Sequence, residues 1–328
     1  MSNTANTTTQ LTRGYTVAFI SAVILSTTAI FIRFLTQDYH LPALVLAIWR
    51  EIIVALTMLV ILGLFKPALL RVDRRHLRFL ILYGLALAIF NSLWTLSVSL
   101  NGAAVSTVLA YCSPAFTALL GWWLLKERLD WSKLLAVGLC LGGCVLISGA
   151  LDLAAWGVNL LGIVTGILSG LLYAVYSLMG RSASQRGLNP WTTLLYAFGF
   201  AAVFLLAFNL LGQGFLPGAI KRPADFLWLG TSASGWGLLL LLAVGPTLAG
   251  YGMYNVSLTL LPSSVANLIV SLEPAFTAVT AYFLLGERLS WVQVGGSLMI
   301  LSGVVFLRIY EGWLAGRQVQ PEPEAPAL

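Results

Sequence analysis

The sequence predicts an all-α membrane protein: ten transmembrane helices arranged as two inverted five-helix repeats. Three observations carry that expectation. Of 328 residues, 59% are apolar and only 9% are charged, against roughly 25% charged in a soluble domain. Continuous apolar runs, each near the roughly 20 residues that a helical span needs, occur at about 13–35, 42–64, 77–98, 102–124, 131–150, 159–180, 190–212, 234–257, 263–286 and 290–310. Residues 103–148 also align without gaps on 263–308, at a constant offset of 160.

The composition limits the function classes. A mean hydropathy of +0.90 leaves too little charge to cover a water-facing core. A soluble enzyme, a nucleic-acid-binding domain and a disordered chain are excluded. The partners to expect are the lipid bilayer and a small molecule, not nucleic acid. The apolar runs are continuous rather than alternating, which excludes a β-barrel.

Each segment has a reason. Residues 1–12 are polar and Thr-rich, with no basic stretch before a short apolar core; they read as a cytoplasmic tail, with no cleavable signal expected. The first repeat covers 13–150, its runs separated by Pro42, Lys66-Pro67 and Asn101-Gly102. The second covers 159–310, punctuated by Pro190 and Leu261-Pro262. Residues 318–328 carry Pro321, Pro323 and Pro326 and are expected to be a disordered tail.

Lys and Arg set the orientation. With the N-terminus cytoplasmic, thirteen fall on the inner side and four on the outer, leaving Arg50 inside a span. Both termini are therefore expected in the cytoplasm. The repeat includes Pro114-Ala-Phe-Thr-Ala118 against Pro274-Ala-Phe-Thr-Ala278, and Glu127-Arg128-Leu129 against Glu287-Arg288-Leu289. A weaker match at offset 148 relates Gly14, Arg33 and Pro42 to Gly162, Arg181 and Pro190. Five spans per copy is an odd number, so the second copy enters upside down, as in many secondary transporters. Lys126 and Lys133 in the inner copy are replaced by Gly286 and Gln293 in the copy expected outside.

Ten spans, a five-span duplication and a Pro-x-Phe span followed by Glu-Arg-Leu in both halves resemble the drug/metabolite transporter superfamily, and within it the EamA-type ten-span exporters. The likeness covers about residues 13–310 and is nearest to the aromatic amino acid exporters. It implies a bacterial inner-membrane carrier whose halves surround a central cavity, with helices 3, 4, 8 and 9 prominent in the lining.

The candidate site residues are the polar ones within spans, because such groups should be paired or face a cavity. Arg50, Glu51 and Glu273 are the charged set. Glu273 could meet a substrate ammonium or carry a proton; the structural alternative is an ion pair with Arg50, or a bond to backbone freed by Pro274. Arg50 could bind a substrate carboxylate, or pair with another helix. Glu51 lies roughly 100° round the helix from it, so the two are not expected to pair.

Asn91, Trp94 and Thr95 form one helical stripe, matched at offset 160 by Tyr251, Tyr254 and Asn255. Ser169, Tyr173, Tyr176 and Ser177 form another, and Thr107, Tyr111, Ser113, Asn267 and Ser271 add to the set. Lining a substrate cavity and gluing helices together are the competing readings. Large aromatics at matching positions on spans 3, 4 and 6 are what the exporters imply, and Tyr111 and Tyr173 fit. Asn91 and Ser113 depart from that pattern, which leaves room for smaller substrates. Pro114 and Pro274 read as paired hinges or as static kinks.

Cys112, Cys140 and Cys144 are expected to pack rather than bind metal. Trp122, Trp123, Trp131, Trp156, Trp191, Trp291 and Trp313 read as interface belts. Gly142-Gly143, Gly295-Gly296 and Gly303 permit close helix crossings, including across a dimer face; monomer and homodimer both fit. No nucleotide loop or hydrolase motif occurs, so neither ATP drive nor an enzyme is expected, and no cofactor or metal. The functional expectation is outward transport of amino acids, apolar, aromatic or methionine-like. Export of drugs or organic cations is the alternative within transport. A channel-like or scaffolding membrane protein is the alternative from another class.

Overall fold

The computed structural model describes residues 2–147, 160–213, 215–285 and 290–317. Helices are α1 Ser2–Leu25, α2 Thr28–Arg33, α3 Ala43–Phe65, α4 Arg74–Ala110, α5 Ser113–Leu125, α6 Trp131–Ile147, α7 Leu160–Gln185, α8 Pro190–Leu211, α9 Ala233–Leu242, α10 Gly250–Leu260, α11 Ser263–Val270, α12 Glu273–Leu285 and α13 Trp291–Arg317. The chain is π-helical over Phe34–Asp38 and, around Pro246, over Ala243–Ala249. Among the described residues, six stretches are long and apolar enough to cross a membrane: Gln10–Thr36, Ala43–Phe65, Arg74–Ser97, Leu160–Gln185, Pro190–Leu211 and Ala233–Leu260. Three shorter apolar helices accompany them. The expected tail 318–328 and the Glu287-Arg288-Leu289 motif lie outside the described residues, as does Trp156.

The shortness of α5, α11 and α12 has a local cause. Proline lacks an N–H, and its ring clashes with the carbonyl four residues back. Four before Pro114 is Ala110, where α4 ends; four before Pro274 is Val270, where α11 ends. The two breaks, at Tyr111-Cys112 and Ser271-Leu272, are equivalent at offset 160.

α4 is helical through Asn101-Gly102, where the sequence suggests a turn. Two residues twelve apart nevertheless meet at one place: the Ser97 hydroxyl and Leu109 both lie within 3 Å of where a Cβ on Gly166 would sit. A straight helix would part residues twelve apart by about 18 Å. The path therefore doubles back between them. The first arm runs antiparallel to α7, with the Tyr83 hydroxyl beside Gly180; the second runs along it, with Ala110 beside Gly170.

Helix pairing follows the repeat. α1 packs on α10 and α4 on α7, while α3 packs on α8 and α6 on α13. At the α6–α13 crossing, Cys140 Sγ lies 3.9 Å from the Ile300 carbonyl, its own counterpart at offset 160. A Cβ on Gly143 would stand 2.6 Å from the Gly296 carbonyl, and one on Gly303 would stand 3.0 Å from that of Ala136. These two contacts are also related by the 160 offset. Lipid tails give no hydrophobic drive for helix association, so small residues that let backbones close are what hold such a pair. Gly143, Gly296 and Gly303 thus serve a close helix crossing inside the chain, as their small size led us to expect.

Large apolar side chains point outward around the bundle, among them Leu64, Val60, Val203 and Leu298. Trp122, Trp123, Trp131 and Trp291 are exposed, as belt residues would be. Trp191 is the exception: its ring packs over Gly252 and joins the core. Between α8 and α9, Asp225 accepts the backbone N–H groups of Lys221 and Arg222, which hold its carboxyl below the ordinary range. Trp49 Nε1 pins this segment through the Phe226 carbonyl at 2.7 Å.

Candidate functional site

Polar side chains gather between the helices in connected groups. The first joins α3 to α4. Arg50 Nη2 donates to Glu51 Oε1 at 3.3 Å and to Asn91 Oδ1 at 2.7 Å, and Asn91 Nδ2 donates to the same Oε1 at 2.7 Å. The expectation that neighbours on one helix would not pair is corrected here. The long Arg50 stem carries its head round the helix, and Asn91 holds both groups from across the gap.

The second group joins α4, α7 and α10. Tyr83 donates to Asn255 Oδ1 at 3.1 Å, and Asn255 Nδ2 donates to the Tyr176 hydroxyl at 2.8 Å. The third joins α5, α7, α10 and α11. Asn267 Nδ2 donates to Thr117 Oγ1 at 3.0 Å and to Ser177 Oγ at 3.1 Å, and its Oδ1 accepts from Ser113 at 3.1 Å. Ser177 and Tyr254 share a 2.6 Å hydrogen bond.

Aromatic rings connect these groups. Tyr173 and Tyr254 stack at 5.8 Å, and Tyr176 and Tyr83 sit 4.7 Å apart. Tyr251 meets Tyr176 edge-on at 5.7 Å. Tyr251 is within electrostatic reach of Arg50, Glu51 and Glu273 together. At the far end, Tyr111 stands beside the partly buried carboxyl of Glu273, the first residue of α12. Glu273 therefore has a tyrosine for neighbour, and Arg50 is engaged elsewhere.

Asn91, Tyr111, Ser113, Tyr173, Tyr176, Tyr251, Tyr254, Asn255 and Glu273 thus come together along one interior polar axis. Trp94 borders it, partly buried against both apolar clusters. Thr95 and Ser169 turn back on their own helices, to the Asn91 and Gly166 carbonyls. The side chain of Thr107 is outside the described set. Cys140 and Cys144 are buried free thiols at the α6–α13 crossing. Among the described residues, no three His, Cys, Asp or Glu gather in a way that could hold a metal.

Sequence reasoning missed Tyr83, Thr117 and the partner of Glu127. Tyr83 and Asn91 are two turns apart on one face, so extending the Asn91 stripe backward would have found it. Glu127 lies in the loop after α5 and clasps the start of α11. Its Oε1 accepts from Ser263 N at 2.8 Å and Ser263 Oγ at 2.6 Å; its Oε2 accepts from Ser264 N at 3.3 Å and Ser264 Oγ at 2.7 Å. A helix start offers free N–H groups and a positive dipole end, so a carboxylate is well matched to it. The signal in the sequence was the serine pair directly after Pro262.

The profile of the EamA-like transporter family matches this chain twice, over residues 12–149 and 160–309. The chain belongs to the EamA-like transporter family. Among relatives of this chain, an uncharacterized transporter of Archaeoglobus fulgidus is 29% identical over 67% of this chain and 74% of its own. The threonine/homoserine exporter RhtA of Salmonella typhimurium is 28% identical over 73% and 74%, and RhtA of Escherichia coli K12 is 26% identical over the same shares. A solved crystal structure superposes with a TM-score of 0.72 over 92% of this chain and 98% of its own, at 15% identity, which speaks for the fold alone. This EamA protein is a multi-pass membrane transporter.

Proposed function

We propose that this EamA protein is a secondary carrier that exports amino acids by alternating access, built as ten spans in two inverted halves, 13–150 and 159–310. The observation that carries the reading is the interior polar axis. Charged and hydrogen-bonding groups within spans are expensive unless they serve a substrate or ion path, and here they converge from both halves on a wall of tyrosines. Contacts between residues and their own 160-offset counterparts support the two-fold arrangement. The excess of Lys and Arg on one side supports cytoplasmic termini in a bacterial inner membrane. The RhtA names support amino acids as substrates, and the tyrosine faces suit apolar, aromatic and methionine-like side chains. Glu273, beside Tyr111 and in reach of Tyr173, favours organic cations as the second reading.

Counterflow in proteoliposomes tests the function. Labelled threonine, homoserine, methionine or phenylalanine should accumulate against unlabelled amino acid trapped inside. Movement of choline-like cations without any amino acid would replace the main reading with the second. Leakage without trans-stimulation would indicate a pore.

Pro114 and Pro274 act in this scheme as hinges, one per half. Replacing both by Ala should slow exchange while leaving the substrate concentration for half-maximal binding near its wild-type value. Wild-type exchange rates in that double variant would make them static kinks.

A further inference from the structure

The Arg50–Glu51–Asn91 group is not closed on itself. Arg50 Nη2, Glu51 Oε1 and both Asn91 side-chain atoms bond one another. Arg50 Nε and Glu51 Oε2, both buried, have no hydrogen-bond partner. Arg50 is 3% exposed and Glu51 0%, so bulk water does not reach them. A buried donor or acceptor left unmet costs about 1–3 kcal/mol, and more when charged. Here one of each stands on adjacent residues: a guanidinium donor beside a carboxyl acceptor.

We propose that Arg50 and Glu51 form the head-group subsite of the carrier, which takes a zwitterionic α-amino acid. Arg50 Nε donates to the substrate carboxylate, and Glu51 Oε2 accepts from the substrate ammonium. The two charges of an α-amino acid are borne on one carbon, as the two orphaned atoms are borne on neighbouring residues. Asn91 is a positioning residue, holding both heads from α4. Tyr251 and Tyr176, which meet edge-on at 5.7 Å, give the apolar faces along which the substrate side chain would lie. An organic cation would meet Oε2 and leave the guanidinium unmatched; an organic anion would do the reverse. The subsite therefore selects against both. This inference rests on the amino-acid export proposed above and deepens it.

The test uses the full-length protein in proteoliposomes. Competition against labelled threonine and methionine is measured for each parent amino acid, its α-hydroxy acid, which lacks the ammonium, and its amino alcohol, which lacks the carboxylate. The wild type should bind each analogue about 10- to 100-fold more weakly than the parent. The double variant Arg50→Gln/Glu51→Gln removes both charges at similar size and leaves no lone buried ion. It should bind parent and analogues alike. Glu51→Gln alone should lose discrimination against the α-hydroxy acid only, and it reads the same idea if the double variant does not fold. Discrimination equal to wild type in these variants overturns the subsite and leaves the pair structural or water-filled. The same holds if the wild type treats all three compounds alike. If the wild type exchanges no amino acid, the export reading fails and the subsite fails with it; if it exchanges amino acids while the variants still discriminate, only the subsite fails.

Discussion

Replacing Glu127 by Ala should raise thiol labelling of Cys112 by roughly 100-fold, with wild-type expression. Glu127 accepts four hydrogen bonds from the start of α11, and Lys133 Nζ adds only a long 3.5 Å contact to Ser264 Oγ. Bonds to a charged group are worth about 1.5–3 kcal/mol each, so the loss of one or two suffices for a shift of roughly 100-fold between closed and open states. Cys112 is partly buried at the break between α4 and α5, at the opposite end of α5 from Glu127. Glu127→Gln should give a smaller rise, because its amide keeps one acceptor oxygen but turns an N–H2 toward the second serine. Cys112 labelling unchanged in Glu127→Ala would show that the clasp holds the loop and not the access path. The clasp has no full counterpart in the repeat. The positions equivalent to Ser263 and Ser264 are Ala103 and Ala104, which carry no hydroxyls.

Gly143→Leu is expected to be the most damaging change for stability. The added side chain would have to enter where a Cβ already stands 2.5 Å from Ile300 Cγ1 and 2.6 Å from a backbone carbonyl. The carbonyl cannot move aside without separating α6 from α13 along their crossing. Overpacking of this kind costs about 1–3 kcal/mol, and a forced helix separation puts the variant at the top of that range. Thermal unfolding in detergent should show a midpoint lowered by several degrees, to be compared with Gly138→Ala and Gly295→Ala. A Cβ at either control position meets nothing within 4 Å, and both should unfold with the wild type. If Gly143→Leu also unfolded with the wild type, the α6–α13 crossing would not be a stability determinant.

The fold was legible wherever one residue type acts on its own neighbourhood. Pro114 and Pro274 end helices four residues upstream through a missing N–H, so both breaks could be placed from the sequence. The turn expected at Asn101-Gly102 was not placed so well: the backbone stays helical there, and the reversal is bracketed only by Ser97 and Leu109. Trp191 misled because a tryptophan near a span end fits an interface belt and a core slot equally well. What chose between them was the absence of a side chain at Gly252, sixty positions on.

The site was legible as a set but not as a wiring diagram. Tyr173, Tyr176, Tyr251 and Tyr254 could be gathered on inward stripes because lipid penalises exposed polar groups. Their partners could not be named. Glu273 was weighed against Arg50 and in the fold stands beside Tyr111. Arg50 was set apart from Glu51 and in the fold bonds it, because Asn91, forty residues away, draws the two heads together.

By itself, then, the sequence determined the solvent, the order and lengths of the apolar runs, the repeat and the two proline breaks. Each of these follows from composition, or from interactions within one turn of helix. Only the tertiary structure decided which polar atoms meet, that Glu127 closes on Ser263 and Ser264, and that Arg50 Nε and Glu51 Oε2 are left without partners. Those facts depend on how each helix is rotated about its own axis. That rotation is set by neighbours distant in sequence, such as Gly143 against Gly296, and not by the helix's own residues.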